Sequence, residues 1–154
     1  MLDIDDFKLI NDSLGHSMGD AVLKAFSQKL AETFGESCCY RYGGDEFAVV
    51  APLEDDAEMR RRLESLAASL EDLNIPGLEQ KVCFSAGYVY GRTEFSYDLR
   101  YMMHQADATL YEAKGSGKNR SIGRPYSRSP AETLISNPHY AGRHHDAAFE
   151  RRAG

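Results

Sequence analysis

RYGGDEF, residues 41 to 47, sets two glycines directly before two adjacent carboxylates, Asp45 and Glu46. Cys38-Cys39-Tyr40 precedes it and Phe47-Ala48-Val49-Val50 follows it, and both flanks suit strands. Glycine tolerates the positive φ that tight hairpin turns demand, so the stretch predicts two antiparallel strands with the acids at an exposed, rigid bend. Carboxylates about 4 Å apart near a surface repel by about 4 kcal/mol at an effective dielectric of about 20. A fold that keeps them together calls for a cation.

Outward from the hairpin the chain alternates strands and helices. Upstream, Leu2 and Ile4 alternate with Asp3 and Asp5 like the last residues of a strand. A loop or short helix runs through Phe7 and Ile10 to Gly15, and residues 18–34 place Val22, Phe26, Leu30 and Phe34 at fourfold spacing on an amphipathic helix closed by Gly35. Downstream, residues 55–73 open with Glu54-Asp55-Asp56 in the first turn and carry Leu63, Leu66, Leu70 and Leu73 along one face. Residues 81–90 read as a half-buried strand, 97–114 as a third long helix, and 118–122 as a short last strand. A hairpin mixed with helical crossovers predicts an α/β (α+β sandwich) fold with a mixed sheet, not a fully parallel doubly wound one. Residues 123–154, rich in Pro, Ser, Arg and His without apolar periodicity, read as a disordered tail.

Composition narrows the function classes. The 154 residues suit one domain with a sizeable core, and the formal net charge is -6. Residues 1–120 hold 13 Lys and Arg against 21 Asp and Glu, and residues 121–154 hold 5 against 3. That balance argues against a nucleic-acid groove or a membrane-surface patch. An anionic substrate therefore needs local cations or a metal. Cys38, Cys39 and Cys83 lack CxxC spacing and read as reduced strand residues of a cytoplasmic protein. No apolar run approaches the roughly 20 residues of a membrane helix, so no membrane attachment by this chain itself is expected.

Asp3, penultimate in its strand, is the natural third acid, because a strand end can lie beside a neighbouring hairpin tip. Oxygen ligands without His or Cys favour Mg²⁺ or Mn²⁺ over zinc. Mg²⁺ takes one or two carboxylates and leaves its other positions to water and phosphate, which implies a phosphorylated substrate. Residues 3–20, DIDDFKLINDSLGHSMGD, gather five carboxylates, a lysine and two glycines where the chain leaves a strand for a helix. Asn11 and Asp20 suit the donor and acceptor edge of a guanine, and Lys8 with nearby peptide N–H groups suits phosphate oxygens. Taken singly, each has an ordinary account as a cap, loop or surface residue. Lys114 and Lys118 bracket a glycine-rich turn in ADATLYEAKGSGKN. Glu112 and Asn119 stand where a Walker loop needs Gly and Ser or Thr, so that reading is rejected. The two lysines serve either a phosphate site or the dipole of a helix C-terminus.

In order, DIDDFKLINDSLGHSMGD, RYGGDEFAVV, FSAGY and ADATLYEAKGSGKN resemble the GGDEF family of diguanylate cyclases over residues 2 to about 122. The resemblance implies a fold similar to class III nucleotidyl cyclases and the polymerase palm. It also implies a homodimer that condenses two GTP molecules into cyclic di-GMP with release of pyrophosphate. By position, Asp3, Asp45 and the Ile4 carbonyl would hold Mg²⁺, and Asp45 or Glu46 would help deprotonate the ribose 3′-hydroxyl. Asn11 and Asp20 would read guanine with His16 close by, while Lys8, Lys114 and Lys118 would face the triphosphate. Family members begin earlier, so residues 1–122 are expected to lack the N-terminal helix and most of the first strand. Lys118 stands where the family commonly has arginine, and Phe34 and Ser37 replace the ends of the RxxD feedback motif, so no product binding is expected there. A module that holds GTP or a protein partner without turnover is the alternative.

Overall fold

The protein is described from a computed structural model over residues 1–53, 55–93 and 98–127. Its elements run β1 (Leu2–Ile4), α1 (Phe7–Leu14), α2 (His16–Phe34), β2 (Cys39–Gly43), β3 (Glu46–Val49), α3 (Asp56–Glu71), β4 (Phe84–Tyr90), α4 (Asp98–Gly115) and β5 (Ser121–Pro125). The strands form one mixed sheet in the order β2-β3-β1-β4-β5, with β1 antiparallel to both neighbours and β4 parallel to β5. The expected mixed α/β architecture is present.

Alternation along the strands divides the sheet into two faces. Leu2, Ile4, Phe47, Phe84 and Ala86 share one face and a single core with Phe26 and Leu30 of α2 and Leu63, Leu66 and Leu70 of α3. Phe26 is fully buried, with its ring centroid 4.9 Å from Phe47 and 5.8 Å from Phe84. α3 starts where Asp55 accepts a hydrogen bond from the Glu58 amide at 2.8 Å, and Asp56 and Glu58 complement the helix dipole in its first turn. Ion pairs Arg60–Asp56 (2.9 Å) and Arg62–Glu58 (2.6 Å) follow at helical spacing.

The other face carries Asp3, Glu46, Ser85 and Gly87 and receives α4. A Cβ placed on Gly87 would lie 2.0 Å from the Leu110 amide nitrogen and 2.4 Å from the Ala106 carbonyl oxygen. The glycine therefore sets how closely α4 approaches the sheet. Gly87→Ala is expected to destabilise the fold by about 2 kcal/mol or more, because backbone atoms cannot step aside as a flexible side chain can. A urea midpoint unchanged from the parent would contradict this.

Several sequence expectations shift at their edges. β1 has only three residues, yet it is central, buried throughout and paired on both sides, and the Met1 carbonyl extends its ladder by accepting from the Gly87 amide at 3.0 Å. The segment before Gly15 is a true helix. β4 begins at Phe84, leaving Lys81, Val82 and Cys83 outside it, and Cys38 closes a 3-10 turn (Glu36–Cys38) so that only Cys39 lies in a strand. β5 reaches Pro125, past the expected boundary at 122. Glu54 and the tail from residue 128 lie outside the described residues.

Candidate active site

The acids expected at an exposed bend are half-buried instead, because β1 flanks β3 and covers one side of the hairpin. Gly44 and Asp45 form the turn, with Gly44 at φ 32°. Arg41 pins its tip, donating from two guanidinium nitrogens to the Gly44 carbonyl at 2.9 and 2.7 Å. The Asp45 carbonyl accepts from the Ile4 amide at 3.2 Å, so the turn is stitched to the central strand. Asp3 lies directly across from Glu46 on one side and Ser85 on the other.

The last turn of α4 brings Lys114 to this acid face, its Nζ 2.6 Å from Asp3 Oδ2. The Asp3 side chain is only 7% exposed. Burial pushes its carboxyl up to about 6; the Lys114 ammonium opposes the shift, and the charges of Asp45 and Glu46 add to it. Lys114 is thus the cationic partner of Asp3 at this acid face. Lys118, after the glycine-rich turn, sits with its Nζ 2.6 Å from Asp6 Oδ1. That hydrogen bond raises the pKa of Lys118.

Asp6 precedes α1 in a left-handed conformation (φ 58°) and gives the helix no side-chain cap. The first helical bond runs from the Ile10 amide to the Asp6 carbonyl, so the amides of Phe7, Lys8 and Leu9 have no acceptor within the helix. Lys8 stands exposed among them. Donors and a cation at a helix start form an arrangement suited to phosphate.

A family model described as "Diguanylate cyclase, GGDEF domain" matches residues 1–120. The chain belongs to the GGDEF family. Diguanylate cyclase VdcA of Vibrio cholerae is 36% identical over 126 residues, which cover 78% of this chain and 37% of that protein. DgcZ of Escherichia coli is 33% identical over 123 residues, covering 79% and 42%. The chain thus spans about two fifths of the length of these curated relatives. Among solved structures, the GGDEF domain of DgcB from Caulobacter crescentus, in complex with c-di-GMP, superposes with a TM-score of 0.69 at 30% identity, covering 79% of this chain and 74% of that one. The active GGEEF domain of a Vibrio cholerae diguanylate cyclase does so at 0.69 and 27% identity, covering 83% and 81%.

Within the GGDEF domain, Asn11 lies in the second half of α1, and His16 and Asp20 lie near the start of α2. A Cβ on Gly19 would lie 2.0 Å from Asn11 Oδ1, so the side chain of Asn11 rests directly on the glycine that precedes Asp20. His16 is exposed at the first position of α2, and Asp20 is exposed one turn on. Gly19 escaped the sequence reading, although a glycine inside a helix costs about 1 kcal/mol against alanine and so signals a close approach. Asp5 and Asp6 were also passed over as partners of the turn after α4, because their contacts lie more than 110 residues away.

Among the described residues no three side chains of His, Cys, Asp or Glu are gathered as ligands of one metal ion. Asp3 with a hairpin acid is an incomplete oxygen donor set, which fits an ion that keeps water and phosphate as its other ligands. A polar hollow of about 550 Å³, lined by Glu32, Thr33, Glu58, Arg61, Arg62 and Ser65, lies on the α2–α3 side of the sheet, away from these acids. Among the described residues no helix is long and apolar enough to cross a membrane.

Proposed function

We propose that this GGDEF domain condenses two GTP molecules into cyclic di-GMP, one nucleotide per protomer of a homodimer, with Mg²⁺ or Mn²⁺ as cofactor, in the cytoplasm. The observation that carries the reading is Asp3, a buried acid across from Glu46 of the hairpin and paired with Lys114. Asp3, Asp45 and the Ile4 carbonyl would hold the ion. The bound ion would lower the pKa of the 3′-hydroxyl and offset charge on departing pyrophosphate. Lys114 and Lys118 exchange their carboxylate partners for phosphate oxygens, and the α1 amides with Lys8 hold the same triphosphate. Glu46 or Asp45 accepts the hydroxyl proton. Because the new bond joins two nucleotides, two sites must face each other, and a symmetric dimer supplies that geometry.

Asn11 and Asp20 read the guanine edge, Asn11 held in place by its seat on Gly19. Gly19→Ala is expected to lower the preference for GTP over ATP by about tenfold, the worth of one misplaced hydrogen bond of about 1.5 kcal/mol, as read from competition binding. Equal preference in variant and parent would remove Asn11 from the guanine site.

Incubation of the purified chain with GTP and Mg²⁺, followed by chromatography of the nucleotides, tests the proposal. Cyclic di-GMP whose specific rate of formation rises with protein concentration supports a dimeric cyclase. GTP binding without product at any concentration supports the alternative of a binding module. The existing pairing of Lys114 with Asp3 favours that alternative wherever the metal fails to displace the ammonium.

A further inference from the structure

Asp5 is a buried acid, at 8% exposure. Its Oδ1 accepts from Ser85 Oγ on β4 at 2.8 Å, and its Oδ2 accepts from the Asn119 amide, in the turn joining α4 to β5, at 2.8 Å. Its own amide donates to the Cys83 carbonyl at 2.9 Å. One carboxylate therefore ties the end of β1, the sheet and the turn after α4 together.

That turn is strained. Lys118 (φ 60°) and Asn119 (φ 45°) are consecutive non-glycine residues in the left-handed region, a conformation that for a lysine persists only when its surroundings enforce it. The Lys118 amide reaches the Ala113 carbonyl at 3.2 Å, which holds the near side of the residue. The peptide on its far side is held by Asp5. With both flanking peptides fixed, the Lys118 side chain reaches the β1–α1 corner, where its ammonium meets Asp6.

We infer that Asp5 is a positioning residue, acting through the Asn119 amide to aim Lys118 at the triphosphate. The inference rests on the proposed phosphate role of Lys118. The carboxyl offers one oxygen to the Ser85 hydroxyl and the other to the Asn119 amide, so it holds both at once. Burial beside Ser85 fixes its rotamer.

The test measures affinity for GTP and for GMP, with Mg²⁺, in the full chain and in Lys118→Ala, Asp5→Ala, the double variant and Asp5→Asn. Lys118→Ala should lose about tenfold in GTP affinity, the worth of one charge-assisted hydrogen bond, and leave GMP unchanged. Asp5→Ala should show the same split, and the double variant should lose no more than either single change. Asp5→Asn should recover most of the loss, because its amide oxygen can accept from Asn119 while its NH₂ donates to Ser85 Oγ. Should Asp5→Ala fail to fold, Asp5→Ser, too short to span to Asn119, takes its place. Additive losses, or equal losses for GTP and GMP, would overturn the positioning role and leave Asp5 as a general fold support. If Lys118→Ala binds GTP as the parent does, the phosphate role of Lys118 fails and the inference with it. If Lys118→Ala weakens binding and Asp5→Ala does not, the inference alone falls.

Discussion

Asp45→Ala is expected to lower the rate of cyclic di-GMP formation by about a thousandfold or more while leaving the fold intact, since removing charge stabilisation worth about 4 kcal/mol from a transition state has that effect. The fold survives because the structural work of residue 45 is done by its backbone. Its carbonyl holds the Ile4 amide, and the turn is pinned by Arg41 on the Gly44 carbonyl. Removing the side chain deletes one of three repelling carboxylates, which if anything relaxes the apo domain. Chromatography of GTP and product, alongside a urea unfolding curve, separates the two effects. Turnover at the parental rate would end the assignment of Asp45 to the reaction.

Asp3→Asn carries the second large effect, and its sign depends on whether metal and nucleotide are present. The folded state holds the Asp3 proton up to about pH 6, above the usual carboxylate value near 4. Between those values folding takes up a proton, so this group's contribution to stability falls as pH rises from about 4 to about 6 and stays low above that. An asparagine removes the buried charge, keeps an oxygen for Lys114 and has no such slope. Without divalent metal, Asp3→Asn should therefore gain about 1 kcal/mol at pH 7 once solvent screening is allowed for, or a few degrees in Tm. With Mg²⁺ and GTP the parent should gain stability and the variant should not. A variant that melts below the parent at pH 7 without metal would show that the Lys114 pair outweighs the cost of burial.

The fold was legible because its strongest signals are local. The glycine pair fixed the hairpin, and four-residue spacing of Val22, Phe26, Leu30 and Phe34 marked α2 and its core face. The sequence also pointed to Asp3 as a partner of the hairpin acids, since a strand end can lie beside a neighbouring hairpin tip. What it could not show was how deeply they sit. Burial of Asp45 and Glu46 comes from β1 lying alongside β3, a pairing between residues more than 40 positions apart. The same limit hid the partners of Lys114 and Lys118, which read equally well as dipole-complementing charges. β4 starts later than its alternation suggested because β1, its partner there, ends at Ile4, opposite Phe84. The role of Asp5 was invisible for a simpler reason: nothing in DIDD distinguishes an inward acid from its neighbours.

The pairing of Lys114 with Asp3 and of Lys118 with Asp6 changes what nucleotide capture means for this domain. The resting protein supplies its own counterions, so under the proposed cyclase reading GTP would not meet two bare cations. Loading would then be a swap, in which each ammonium leaves a carboxylate as it takes a phosphate, and Asp3 is freed for the incoming dication. Nucleotide and metal would in this way arrive together.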